Sequence, residues 1–67
     1  MLVEVHDYTN DEMMSKINNI IHSVRDRELM KRRLIDGLTQ EQIAEEFDLS
    51  VRQVQRIIYK YQKLLLL

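Results

Sequence analysis

Apolar positions recur at helical spacing in four stretches of this chain. Met13, Met14, Ile17, Ile20, Ile21 and Val24 make the first stripe, and Leu29, Met30 and Leu34, with Arg33 in register, continue it. Ile43, Ala44 and Phe47 form a short third group ahead of Leu49. Val54, Ile57, Ile58, Tyr61, Leu64 and Leu65 form the last. Side chains three and four residues apart share one face of an α-helix, so each stripe predicts a helix with an inward side. The starts are written as well. Thr9 with Glu12, Thr39 with Gln42 and Ser50 with Gln53 each place a hydroxyl three residues before a side chain that can reach back, the pattern of a capping box. Ser23 offers a further start, although no Gly or Pro marks a break before it. Gly37, the only glycine, stands where a helix end needs a left-handed residue.

These signals predict an all-α chain of four helices over about 10–22, 24–36, 40–46 and 51–65. Residues 1–8 (MLVEVHDY) read as a short apolar arm, and 10–36 as scaffold helices. The whole of 1–67 reads as one domain built on a helix-turn-helix at 39–65. The two boxes at Thr39 and Ser50 are eleven residues apart. They leave room for a helix of barely two turns, a tight turn that buries Leu49, and a longer helix. With no Pro and no linker between them, the pair must meet at a fixed angle, as a helix-turn-helix requires.

Sixty-seven residues support only a thin core, because a chain of this size buries roughly 60% of its unfolded surface. The absence of Cys excludes disulfides, thiolate catalysis and Cys-type zinc sites. No apolar run approaches the ~18 residues of a membrane span, and the N-terminus lacks the order of a signal peptide, so the expected location is cytoplasmic. The net charge is −1, which by itself argues against a nucleic-acid partner. The distribution argues the other way. Residues 1–22 sum to −3, residues 23–50 to −2 and residues 51–67 to +4, with no acid in the last segment. On the predicted last helix Arg52, Arg56, Tyr59 and Lys63 lie on the side opposite the apolar stripe, flanked by Gln55 and Lys60. A solvated helix face usually mixes signs. This one offers arginine forks, an amide and a phenol, the groups that base edges and phosphates accept.

Residues 34–61 (LIDGLTQEQIAEEFDLSVRQVQRIIYKY) resemble the helix-turn-helix of sigma factor region 4 and the small phage and mobile-element transcriptional regulators that reuse it. The landmarks are the Asp36-Gly37-Leu38-Thr39 entry, Ile43-Ala44, Leu49-Ser50 closing the turn, and Val54 with Ile57. The segment 23–36 resembles the helix that precedes the motif. Two departures are visible: Asp48 stands where the general motif often has Gly, and nothing resembles the other regions of a sigma factor. The resemblance implies that Ser50, Val51, Arg52, Gln55, Arg56 and Tyr59 face the major groove of double-stranded DNA. It implies that Gln40 and Gln53 touch backbone phosphates. Lys60 and Lys63, further along the helix where the groove curves away, are expected to meet phosphates or nothing.

Other residues carry plainer readings. His6 and His22, sixteen apart, make a poor metal site, and no metal or other cofactor is expected. Lys31, Arg32 and Arg33 point in different directions on a helix and read as mixed surface. Met13 and Met14 read as core, with a dimer seam second. No nucleophile–base pair, phosphate loop or acid dyad can be assembled, so no enzyme is predicted. The expected activity is sequence-specific DNA binding in transcription regulation. The alternative is a protein-interaction module for RNA polymerase or another regulator, which the acidic first half favours. Apolar residues at both ends, Leu2, Val3 and Val5 and the run 64–67, predict a homodimer.

Overall fold

A computed structural model describes residues 9–65. Its helices are α1 (Asn10–Ile20), α2 (Val24–Leu34), α3 (Gln40–Phe47) and α4 (Val51–Leu65). No strand occurs among the described residues. The proposed arm, His6 and residues 66–67 lie outside them. α2 and α4 are the central pair: each packs against the other three helices, while α1 and α3 flank them.

All three capping boxes form. Thr9 Oγ1 accepts the Glu12 N–H at 3.2 Å and Glu12 returns a bond at 2.9 Å. The Thr39–Gln42 pair repeats this at 3.1 and 2.9 Å, and Ser50–Gln53 at 3.1 and 3.0 Å. Each cap is worth about 0.5–2 kcal/mol to a helix too short to persist alone.

The break between the first two helices is real, and it needs neither Gly nor Pro. Ile21 leaves the helix with extended backbone, and Ser23 restarts it by accepting the Asp26 N–H at 3.3 Å. Arg27 Nε donates to the Ile21 carbonyl at 2.6 Å and secures the corner. The first two helices consequently end at Ile20 and Leu34, two residues short of the expected bounds, and α3 runs one residue further, to Phe47. The break also changes the helical phase. Val24, counted with the first apolar stripe, is 68% exposed, and of the methionine pair only Met13 is buried, Met14 being 39% exposed.

Ile17, Ile21, Leu29, Met30, Ile43, Val54 and Leu65 are fully buried, and together with Met13, Ala44, Ile58 and Tyr61 they make the core. Leu65 therefore belongs to the interior and is no part of a spare apolar tail, whereas Leu64 beside it is 49% exposed. Leu49 is only partly buried, packed against the core. Among the described residues one charged side chain lies inside. Asp26 is buried, accepting the Tyr61 hydroxyl at 2.8 Å on Oδ2 and Arg25 Nε at 3.1 Å on Oδ1. Burial first, and then the bond to Asp26 and its charge, raise the Tyr61 phenol above its ordinary value. Ionising it would place two negative charges side by side out of water.

The scaffold cations are largely occupied within the fold. Arg33 Nη1 donates to the Leu38 carbonyl at 3.0 Å, and Lys16 Nζ to the Leu65 carbonyl at 2.9 Å. Arg32 Nε binds Glu46 at 3.0 Å, and its Nη1 lies 3.7 Å from both Glu28 and Asp36. The bond to Glu46, then its charge, raise the arginine further above its ordinary value. The Lys31-Arg32-Arg33 run is thus mixed surface tied to its neighbours, as its spacing suggests.

Two of the described residues have positive φ. Gly37 (φ 73°), expected at the helix end, lies two residues beyond the Ile35 cap of α2, and Asp48 (φ 57°) ends α3, where the Asp48 and Leu49 N–H groups both reach the Ala44 carbonyl. A non-glycine residue in this region carries a steric cost that Asp bears better than most. Asp48→Gly should keep the fold and raise stability by about 1 kcal/mol or less. Urea unfolding checks this, and a clear loss would assign the Asp48 side chain a stabilising role of its own.

Tyr61→Phe should cost about 1–2 kcal/mol, since Asp26 stays buried without its neutral donor. A phenol whose folded pKa is raised stabilises fully below the unfolded value near 10, and that stability is lost as pH rises through the folded value. The parent's stability should therefore fall more steeply than that of Tyr61→Phe above about pH 10. Parallel pH profiles of thermal unfolding would rule the coupling out.

Candidate nucleic-acid interface

The helix-turn-helix is held from both sides. α3 and α4 share the apolar wedge of Ile43, Ala44, Val54 and Ile58, with Phe47, Leu49, Val51 and Ile57 packed against it. Across the open side, Gln55 Nε2 donates to Gln40 Oε1 at 3.0 Å, so the first residue of α3 is tied to the middle of α4. Beside that bond runs an open groove of about 450 Å³, lined by Gln40, Arg52, Gln55, Arg56, Tyr59 and Gln62 over Ile58. Two guanidinium groups, three amides and a phenol thus border one hollow. The α3 residue that contributes to it is a neutral amide. Of the acids on α3, Glu41, Glu45 and Glu46 are exposed, and Glu46 is held by Arg32.

The structure brings together Gln40, Arg52, Gln55, Arg56 and Tyr59 of the expected contact residues. Lys63 joins them indirectly: its Nζ stands 4.6 Å from the centre of the Tyr59 ring, which is 67% exposed. The rest lie elsewhere. Ser50 is exposed, but its hydroxyl serves the cap, accepting the Gln53 N–H and lying 3.2 Å from Gln53 Oε1. Val51 is half-buried against the core. Lys60 sits 5.1 Å from the ring centre of Tyr61, and Gln53 lies on the other flank of α4, beside Arg25 and Ile57. Gln62 lines the groove and went unnoticed in the sequence. Its signal was available, since a position three residues beyond Tyr59 and seven beyond Gln55 shares their side of a helix.

A family model for the homeodomain-like domain matches residues 21–63, which span α2, α3 and α4. This chain belongs to the homeodomain-like family. That is a helix-turn-helix family of DNA-binding domains. No curated protein and no solved structure is similar enough to match the chain. Within the family frame α3 is the first helix of the motif, α4 the second, and α2 the helix that supports both, with α1 standing outside the matched region. Among the described residues no helix is long and apolar enough to cross a membrane.

Proposed function

We propose that this homeodomain-like chain binds double-stranded DNA sequence-specifically, with the first half of α4 in the major groove, and acts as a transcriptional regulator. The observation that carries the reading is the groove at Gln40 and α4. It gathers Arg52, Gln55 and Arg56, three side chains able to make paired hydrogen bonds, on a helix without a single acid. Arginine forks match the two acceptors of guanine, and an amide matches adenine; each such pair discriminates by ~1–3 kcal/mol. A net charge of −1 is compatible with this, because every acid precedes α4 in the chain and Asp26, Glu28, Asp36 and Glu46 are paired within the fold. The regulatory role, in a phage or mobile element, rests on the resemblance of 34–61 to the regulators that use this module. RNA polymerase is the partner of the alternative reading.

Arg56→Ala and Arg52→Ala should each weaken binding to the best duplex from a random-pool selection far more than to random DNA. Lys63→Ala should weaken both alike and reduce the salt dependence of binding. Titration of both duplexes at several salt concentrations checks this. If Arg52→Ala and Arg56→Ala bind the selected site as tightly as the parent, α4 does not read bases, and the interaction-module reading takes its place.

We further propose a homodimer. One small module covers little DNA, and two-fold symmetric sites are the common way to gain affinity. Leu64 and Met14 add apolar surface to the described part of the molecule. Sedimentation at high micromolar concentration should show a dimer; a monomer there would remove the proposal.

A further inference from the structure

A second, smaller hollow of about 190 Å³ opens on the other flank of α4, between its first half and the start of α2. Arg25, Gln53 and Arg56 border it over a floor of Leu49 and Ile57. The reading groove does not account for Arg25, which is outside the helix-turn-helix proper. We infer that this hollow is a seat for a backbone phosphate of duplex DNA and that Arg25 is its anchoring cation. The inference rests on α4 being the major-groove element.

The polar groups there are donors, and two of them are already aimed. Arg25 places Nε and Nη2 on Asp26 Oδ1, at 3.1 and 3.0 Å, and the other oxygen of Asp26 takes the Tyr61 hydroxyl. That pairing leaves the Nη1 amino group for an outside acceptor, on a side chain 54% exposed. A guanidinium held by one edge loses less freedom on binding a second anion than a loose one does. Gln53 is fixed by its box. Its Oε1 accepts the Ser50 N–H at 3.0 Å, so Nε2 remains as its outward donor. None of the residues bordering the hollow is acidic, and Asp26, which Arg25 holds, is buried with its charge met by that arginine and its other oxygen by Tyr61.

Position distinguishes a phosphate seat from a generic cationic spot. Arg56 borders both hollows, so it stands on the ridge between the reading groove and the second one. A helix lying in a groove about 12 Å wide has a phosphate strand along each side. Gln40 meets the strand on one side; Arg25 and Gln53 are where the other strand passes. The supporting helix α2 thereby becomes part of the interface. DNA would be clamped across α4 from two helices that are themselves joined to it by hydrogen bonds.

Binding of the parent, Arg25→Gln and Arg25→Lys to the selected duplex and to random duplex across a salt series tests this. Arg25→Gln should lower the slope of log K against log salt by about 1. It should weaken both duplexes by the same factor, unlike Arg56→Ala, and Arg25→Lys should restore most of the slope. A neutral methylphosphonate placed along the strand should weaken the parent at one backbone position and leave Arg25→Gln indifferent there. An unchanged slope in a folded Arg25→Gln, whatever its thermal stability, limits Arg25 to holding Asp26 and overturns the seat. If the parent itself shows no salt-dependent duplex binding, the DNA reading fails and the seat with it. Duplex binding that depends on Arg56 but not on Arg25 overturns the seat alone.

Discussion

The 2.8 Å hydrogen bond from the Tyr61 hydroxyl to Asp26 ties the far part of α4 to the first turn of α2. Apolar packing resists separation of helices but tolerates some rotation about the helix axis. A directed bond to a buried carboxylate does not, because any rotation takes the donor away from Asp26 Oδ2 and leaves only Arg25 on the buried charge, at a cost of about 1–2 kcal/mol. What α4 shows to solvent depends on that rotation. With Tyr61 pinned inward beside Val54, Ile58 and Leu65, the residues Arg52, Gln55, Arg56 and Tyr59 must face out on the side where Gln40 meets them. The same carboxylate aligns Arg25 through its other oxygen, so one buried group orients both flanks of the helix.

Around that bond the fold is assembled from short pieces with strong local punctuation. α3 has eight residues and could not persist alone, yet its start is closed by Thr39 and Gln42 and its end by the left-handed Asp48. Gly37, with positive φ, turns the chain after the Ile35 cap of α2, and five residues later the box returned from Gln42 is complete. These devices bring the chain round without proline and with one glycine. The scaffold cations serve the same purpose. Arg27, Arg33 and Lys16 each donate to a carbonyl at or beyond a helix end, where backbone acceptors would otherwise lack partners.

That use of cations also explains how a chain with net charge −1 can carry a basic face. Apart from Arg25, the cations of α2 are engaged within the fold, on carbonyls and on Glu28, Asp36 and Glu46. Positive charge on α4 has no carboxylate on its own helix to meet. Lys60 and Lys63 lie over tyrosine rings, and Arg52 and Arg56 border open hollows. A membership in the homeodomain-like family that covers α2 to α4 agrees with this division, since it groups the supporting helix with the motif it supports.

What the sequence determined by itself was local. Hydroxyl–amide and hydroxyl–carboxylate pairs three residues apart specify helix starts through bonds that span one turn, and Thr9, Thr39 and Ser50 were readable for that reason. The acid-free α4 was equally legible, because charge sign and helical period need no partner. Contacts between helices were not. Asp26 and Tyr61 are thirty-five positions apart, and nothing in either residue's neighbourhood announces that an acid in a charged stretch will be buried against a phenol. Ser23 marked the restart, but the onset of the break at Ile21 escaped periodicity because an apolar residue suits a helix stripe and a buried corner alike; tertiary packing made the choice, and Val24 is left in solvent. Gln53, expected like Gln40 at a backbone phosphate, lies on the opposite flank of α4 with Arg25, since a helical wheel gives angles about one axis and only the neighbouring helices divide those angles into separate surfaces.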